Sequence, residues 1–168
     1  MRSSQSKAAR VAPRAFTLVL ALATSGGALF ASGCGGSIDI AMTPLAGVIG
    51  GAPWALASAE SSAFLSDGSP TFFVTAYAES VTPCTGAGGS VTSNELILNI
   101  PKTAGDYRLS LGLSQTFYVR STGNNLVATS GGLRVDQVTA TTVSGGAHFS
   151  FDGNNQVNGL FTVPLCAQ

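Results

Sequence analysis

The sequence has few charged side chains. Its 168 residues contain 8 basic and 8 acidic side chains, together 10% of the chain. Half of the bases lie before residue 15, so a chain without that segment has four bases against eight acids, a net charge of −4. The remaining bases are scattered along the chain at Lys102, Arg108, Arg120 and Arg134. Because nucleic-acid binding needs clustered bases that meet phosphates, we expect no nucleic-acid partner.

Metal and cofactor motifs are also scarce. His148 is the single histidine, and no two cysteines have C-x-x-C spacing. The turn at 152–155 resembles only the start of a calcium loop. That loop needs glycine at its sixth position and glutamate at its twelfth, where this chain has Val157 and Val163. The glycine-rich stretch 86–90 lacks the lysine of a phosphate-binding loop. We expect no metal and no cofactor.

The sequence offers one weak arrangement for catalysis, in which His148 precedes Ser150 and Asp152. Side chains two residues apart on a strand point to the same face but lie roughly 7 Å apart, which is too far for direct hydrogen bonds. There is no Gly-x-Ser-x-Gly motif. We therefore expect no enzyme activity, and a hydrolase built around His148 is retained only as a third hypothesis.

The N-terminal residues have the pattern of a secretory signal peptide. Four bases precede an apolar stretch at 15–30, and small residues follow it. This stretch of 16 residues includes Thr24, Ser25 and two glycines. A membrane-spanning helix needs about 20 residues, so a retained span is the least favoured alternative.

The residues Ala31, Ser32, Gly33 and Cys34 resemble the lipobox of bacterial lipoproteins, although Ala31 stands where leucine is commonest. The resemblance implies that the signal is removed and that Cys34 becomes the lipid-acylated N-terminus, with the membrane as its partner. In the same family, a residue other than aspartate after the cysteine, here Gly35, favours the outer membrane. Ordinary cleavage and release as a secreted or periplasmic protein is the alternative.

The two other cysteines, Cys84 and Cys166, form an even pair in an exported chain. A disulfide between them would close a loop of about 82 residues and contribute about 4 kcal/mol by chain-entropy estimates. We predict this disulfide, with two buried free thiols as the alternative.

Most of the chain after residue 53 alternates apolar and polar residues, which is typical of strands buried on one face. Gly- and Asn-rich turns separate these runs. The sequence therefore predicts an all-β fold, a single antiparallel β-sandwich or barrel-like domain of eight or nine strands. We assign residues 1–33 to the signal, 34–52 to a flexible tether with a possible first strand, and 53–168 to the sandwich. The runs with inward-facing apolar residues include Leu96, Leu98 and Ile100; Ala147, Phe149 and Phe151; and Tyr107, Leu109, Leu111 and Leu113.

Two aromatic residues are candidate ligand contacts. Trp54 is either a core residue or a platform on which a sugar ring stacks. Alternation places Tyr118 on the polar face, opposite Phe117 and Val119. The leading hypothesis is a non-catalytic, lipid-anchored cell-envelope protein that acts as a structural or interaction module. The alternative is an exported module that binds a glycan or a small ligand through Trp54 and Tyr118.

Overall fold

Two antiparallel β-sheets pack against each other in the computed structural model of this protein, which describes residues 37–86 and 90–167. The segment assigned to a signal peptide and Cys34 lie outside the described residues. The described residues form eleven strands and one short helix, namely β1 (Ala46–Ile49), β2 (Ala52–Ala55), β3 (Ser58–Ser62), α1 (Ala63–Ser66), β4 (Thr71–Tyr77), β5 (Glu95–Pro101), β6 (Gly105–Arg108), β7 (Thr116–Val119), β8 (Asn124–Val127), β9 (Ser130–Val138), β10 (Thr142–Ser150) and β11 (Gln156–Pro164).

The strands divide into a six-stranded sheet with the order β2-β1-β11-β10-β9-β6 and a five-stranded sheet with the order β3-β4-β5-β7-β8. Every pair of neighbouring strands is antiparallel. The predicted all-β sandwich is confirmed, with eleven strands in the described part of the chain instead of eight or nine.

The alternation read from the sequence places the core correctly in the central strands. In β5, Leu96, Leu98 and Ile100 are buried, whereas Glu95 and Asn99 are half-exposed. In β10, Ala147 and Phe149 are likewise buried. Because side chains alternate between the two faces of a strand, each of these strands contributes one face to the space between the sheets.

Aromatic rings join the two sheets at the centre of this core. Trp54 of β2 meets Phe117 of β7 edge to face, with ring centroids 5.9 Å apart. Phe117 meets Phe151, which follows β10, in the same way at 5.4 Å. Edge-to-face pairs at this separation are favourable beyond their buried area. Since β2 and β7 belong to different sheets, these contacts hold one sheet against the other.

The alternation expected through residues 107–113 does not continue as one strand. Strand β6 ends at Arg108, and the backbones of Ser110 and Leu113 exchange two hydrogen bonds, of 3.3 and 3.0 Å. This pair of bonds closes a turn across Leu111 and Gly112 that reverses the chain. Leu111 consequently is fully exposed, although the period-two pattern placed it in the core.

The chain before β1 lies on the outer face of the six-stranded sheet. Ile38 lies over Gly132, and Ile40 lies over Gly146, where a Cβ atom would be only 2.4 Å from Cγ2 of Ile40. Ala41 N donates to Oδ1 of Asn158 at 2.8 Å. Residues 38–41 are thus fixed to the sheet, and β1 is complete by Ile49. The sandwich therefore includes residues from the segment that the sequence assigned to a tether with a possible first strand.

Cys84 and Cys166 form the predicted disulfide, and their Cα atoms are 5.3 Å apart. Cys166 follows β11 of the six-stranded sheet, and its backbone N–H donates to Ser61 Oγ in β3 at 2.9 Å. The backbone N–H of Cys84 donates to Oε2 of Glu60 at 2.6 Å. The disulfide therefore lies beside β3, at the edge of the five-stranded sheet.

Candidate functional site

Trp54 belongs to the core. Its side chain is only 4% exposed, and its indole N–H donates to the backbone oxygen of Asn94 at 3.0 Å. One ring contact is taken by Phe117. A sugar-stacking platform needs an open ring face, which Trp54 does not present in this arrangement.

Tyr118 lies on the outer face of the five-stranded sheet, as its alternation with buried Phe117 and Val119 predicted. The guanidinium of Arg120 lies 5.8 Å from the centroid of the Tyr118 ring. Trp54, in the six-stranded sheet, points into the core beside Phe117. The structure therefore places one candidate aromatic between the sheets and the other on an outer face, and does not bring them together.

Tyr118 lies in a row of cross-strand neighbours, Tyr77, Glu95 and Tyr118, on the outer face of the five-stranded sheet. Glu95 is paired with Tyr118 on one side and with Tyr77 on the other. Arg120 forms an ion pair with Glu95. Directly opposed residues of antiparallel strands have Cβ atoms about 5 Å apart, so this row combines phenol, carboxylate and guanidinium groups on one surface. Such groups can hydrogen-bond the hydroxyls of a polar ligand, and the half-exposed Tyr118 ring adds an apolar contact.

Tyr77 is the buried end of this row. Its hydroxyl donates to Oε1 of Glu60 at 3.2 Å. Burial, followed by the negative charge of Glu60, raises the pKa of Tyr77 to about 12. Both effects oppose formation of a phenolate. Tyr77 is therefore a neutral donor that fixes Glu60, which in turn accepts the backbone N–H of Cys84.

A surface concavity of about 480 Å³ lies next to this row, between the β1–β2 hairpin and the ends of β5 and β7. Its lining includes Ser93, Asn94, Arg120 and the edge of Trp54. The Asn94 side chain fixes the surrounding backbone, because Oδ1 accepts from Arg120 N at 3.1 Å and Nδ2 donates to the Ile49 oxygen at 3.2 Å. Residue spacing along the chain gave no signal for this concavity, since its parts come from four separate segments.

His148 occupies a structural position. Its Nδ1 atom lies 3.0 Å from the backbone oxygen of Asp39, which also accepts from Nδ2 of Asn158 at 3.2 Å. The side chain therefore contacts the N-terminal segment that lies on the sheet. The hydrogen bonds described for this ring join it to a backbone oxygen and to no acid or nucleophile.

Asp152 closes the turn between β10 and β11. Its carboxylate accepts from the backbone N–H groups of Asn154 and Asn155, at 2.7 and 2.9 Å, and from Nδ2 of Asn155 at 2.7 Å. These hydrogen bonds lower the pKa of Asp152, and the one from the Asn154 backbone has the largest effect. The residues that faintly resembled a calcium loop thus satisfy one another as an Asx turn.

Within 37–86 and 90–167, no group of three His, Cys, Asp or Glu side chains is placed to hold a metal ion. The same residues include no helix with the length and hydropathy that a membrane crossing requires.

Comparison of this chain with protein-family models, with curated proteins and with solved structures found no match.

Proposed function

We propose that this chain is an exported, lipid-anchored β-sandwich that acts in the cell envelope as a non-catalytic structural or interaction module. The observation that carries the proposal is the Cys84–Cys166 disulfide. Disulfides form and persist in oxidising compartments outside the cytosol. Export to such a compartment is also what the basic and apolar N-terminal residues predict.

The anchor in this proposal is a lipid on Cys34. The support is the resemblance of residues 31–34 to a lipobox, and Gly35 favours the outer membrane on the same ground. Acyl chains on one N-terminal cysteine would hold the sandwich at a membrane without a spanning helix.

A non-catalytic role is supported by how the candidate reactive side chains are used. His148 contacts the backbone of the N-terminal segment, and Asp152 closes its own turn. In these contacts His148 and Asp152 are not hydrogen-bonded to each other, as a catalytic acid–base pair would be.

The anchor is tested by growing cells with a labelled fatty acid and measuring the mass of the N-terminal peptide. The natural chain should incorporate label and begin at an acylated Cys34, whereas Cys34→Ser should lose the label and leave the membrane fraction. A Cys84→Ser variant is the matched control and should retain the label. Recovery of an unacylated protein with residue 1 still present would contradict the proposal.

A second candidate function is binding of a glycan at Tyr118. It is supported by the half-exposed ring beside Arg120 and Glu95 and by the adjacent concavity. Isothermal titration with envelope oligosaccharides tests it. Tyr118→Ala should abolish binding, whereas Phe64→Ala, an exposed aromatic elsewhere, should leave it unchanged. Equal affinity of both variants would contradict this function.

A further inference from the structure

The first described residues lie close to one end of the six-stranded sheet. Ile38 lies over Gly132, and Gly132 pairs with Arg108 in the ladder between β9 and β6. The next residue after Arg108, Leu109, donates its backbone N–H to the Gly131 oxygen at 3.4 Å. The chain therefore reaches the sandwich beside the point where the loop 109–114 leaves it.

The covalent distance from this point to the proposed lipid is short. Three peptide units separate Cys34 from Ser37, so their Cα atoms are at most about 11 Å apart. A lipid on Cys34 would therefore hold this end of the sandwich against the headgroups of the membrane that contains the acyl chains.

This end of the sandwich has an apolar surface made by the loop 109–114 and the end of β8. Leu111 is fully exposed, and Val127 is 54% exposed. With Leu109 and Leu113 they line a concavity of about 350 Å³. The sequence has no acidic or basic residue in 109–119 or in 121–133, so the segments that carry Leu111 and Val127 bring no charged side chain of their own into a lipid interface.

We propose that Leu111, in the loop 109–114, and Val127, the last residue of β8, dock on the lipid surface that holds the Cys34 anchor, an inference that rests on the anchoring proposed above. Exposed aliphatic side chains partition into the boundary between headgroups and acyl chains. Aliphatic side chains that enter the lipid would add to the attachment that the acyl chains on Cys34 provide. The docked residues fix the orientation of the sandwich, with the strand ends at Ser130 and Ser150 toward the membrane.

The opposite end of the sandwich provides a matched control. Phe64 in α1 is 85% exposed, and the neighbouring Ala63 lines a depression together with Leu165. Leu165 follows Pro164, which pairs with Thr142, the first residue of β10. Ser130, at the end that carries Leu111, pairs with Ser150, the last residue of β10. Across the nine residues of β10 these ends are about 27 Å apart. Docking at Leu111 therefore keeps Phe64 away from the lipid.

The test uses two variants of the acylated full-length protein, each purified from membranes with one added tryptophan at one end of the sandwich. Leu111→Trp and Phe64→Trp are each reconstituted in vesicles of phosphatidylethanolamine and phosphatidylglycerol with brominated acyl chains. The unsubstituted protein, whose one tryptophan is Trp54, gives the baseline. Bromine should remove most of the added fluorescence of Leu111→Trp and none of that of Phe64→Trp. Equal urea midpoints of the three proteins check that both variants fold.

The mass of the N-terminal peptide is measured on the same samples. An acylated protein in which bromine quenches neither variant, or quenches both equally, overturns the docking and leaves the anchor standing. Protection of the Leu111→Trp fluorophore from iodide without quenching by bromine would indicate a protein partner and also overturns it. A peptide without acyl chains removes the proposed anchor and the docking with it.

Discussion

The contact between Ile40 and Gly146 allows a quantitative test of how the N-terminal segment is held. A Cβ atom on Gly146 would lie 2.4 Å from Cγ2 and 3.2 Å from Cδ1 of Ile40. Because the methyl group of Gly146→Ala cannot share this space with Ile40, the segment must shift away from the sheet. Overpacking of this kind typically costs about 1 to 3 kcal/mol.

Ile40→Ala empties the same space. Ile40 is half-buried, so we expect a cost of about 1 to 2 kcal/mol, below the range for a fully buried isoleucine. In the double variant the new methyl group fills part of the vacated volume. The free energy of unfolding lost by the double variant should therefore be about 1 kcal/mol smaller than the sum of the two single losses.

The assay is urea unfolding of the four proteins, followed by limited proteolysis of the segment before β1. Gly153→Ala is the control, because no atom lies within 4 Å of the added methyl group, and its effect should stay within about 0.5 kcal/mol. Gly146→Ala should also expose residues 37–43 to protease. Two results would show that the segment does not lie over Gly146. One is a loss of stability in the double variant equal to the sum of the two single losses, and the other is an equal effect of Gly146→Ala and Gly153→Ala.

Three further predictions concern stability. Replacing Cys84 and Cys166 together by serine should lower the free energy of unfolding by about 3 to 4 kcal/mol, measured by urea unfolding; a loss below 1 kcal/mol would refute the entropic reasoning. The pKa of Tyr77 is raised from 10.0 to about 12, so its contribution to the free energy of unfolding is complete below pH 10.0 and is lost as the pH rises toward 12. Tyr77→Phe should therefore lose less stability than the natural chain over this range. Identical curves of stability against pH for the two proteins would contradict this. The lowered pKa of Asp152 has the opposite effect, because its contribution to stability is present above the unfolded pKa and is lost on acidification. Asp152→Ala should therefore lose less stability than the natural chain between about pH 5 and about pH 2. A steeper loss in the variant would contradict this.

The sequence predicted the parts of the fold that depend on alternation within a single strand. Leu96, Leu98 and Ile100 face the core because strand side chains alternate, and this holds wherever the chain stays extended. The pairing of Cys84 with Cys166 was predicted because these two cysteines remain once Cys34 is assigned to the lipid anchor. Neither inference required knowledge of which strands are neighbours.

Features that depend on contacts between distant segments could not be predicted in this way. Gly132 and Gly146 face away from the core, yet they are buried because Ile38 and Ile40 cover them. Leu111 continued an apolar alternation, but local hydrogen bonds turned the chain before the strand reached it. The concavity beside Asn94 needs four segments to meet, and no pattern within one segment indicates that they do.

The strand order has a consequence for behaviour at high surface density. In the described part of the chain, the four outermost strands have only four or five residues, whereas β9, β10 and β11 have nine each. One of the outermost strands, β2, also contains Pro53, which has no N–H to offer. Short edges expose few unpaired backbone groups, so they are poor templates for strand addition by another chain. Many copies could therefore crowd together without joining their sheets into aggregates.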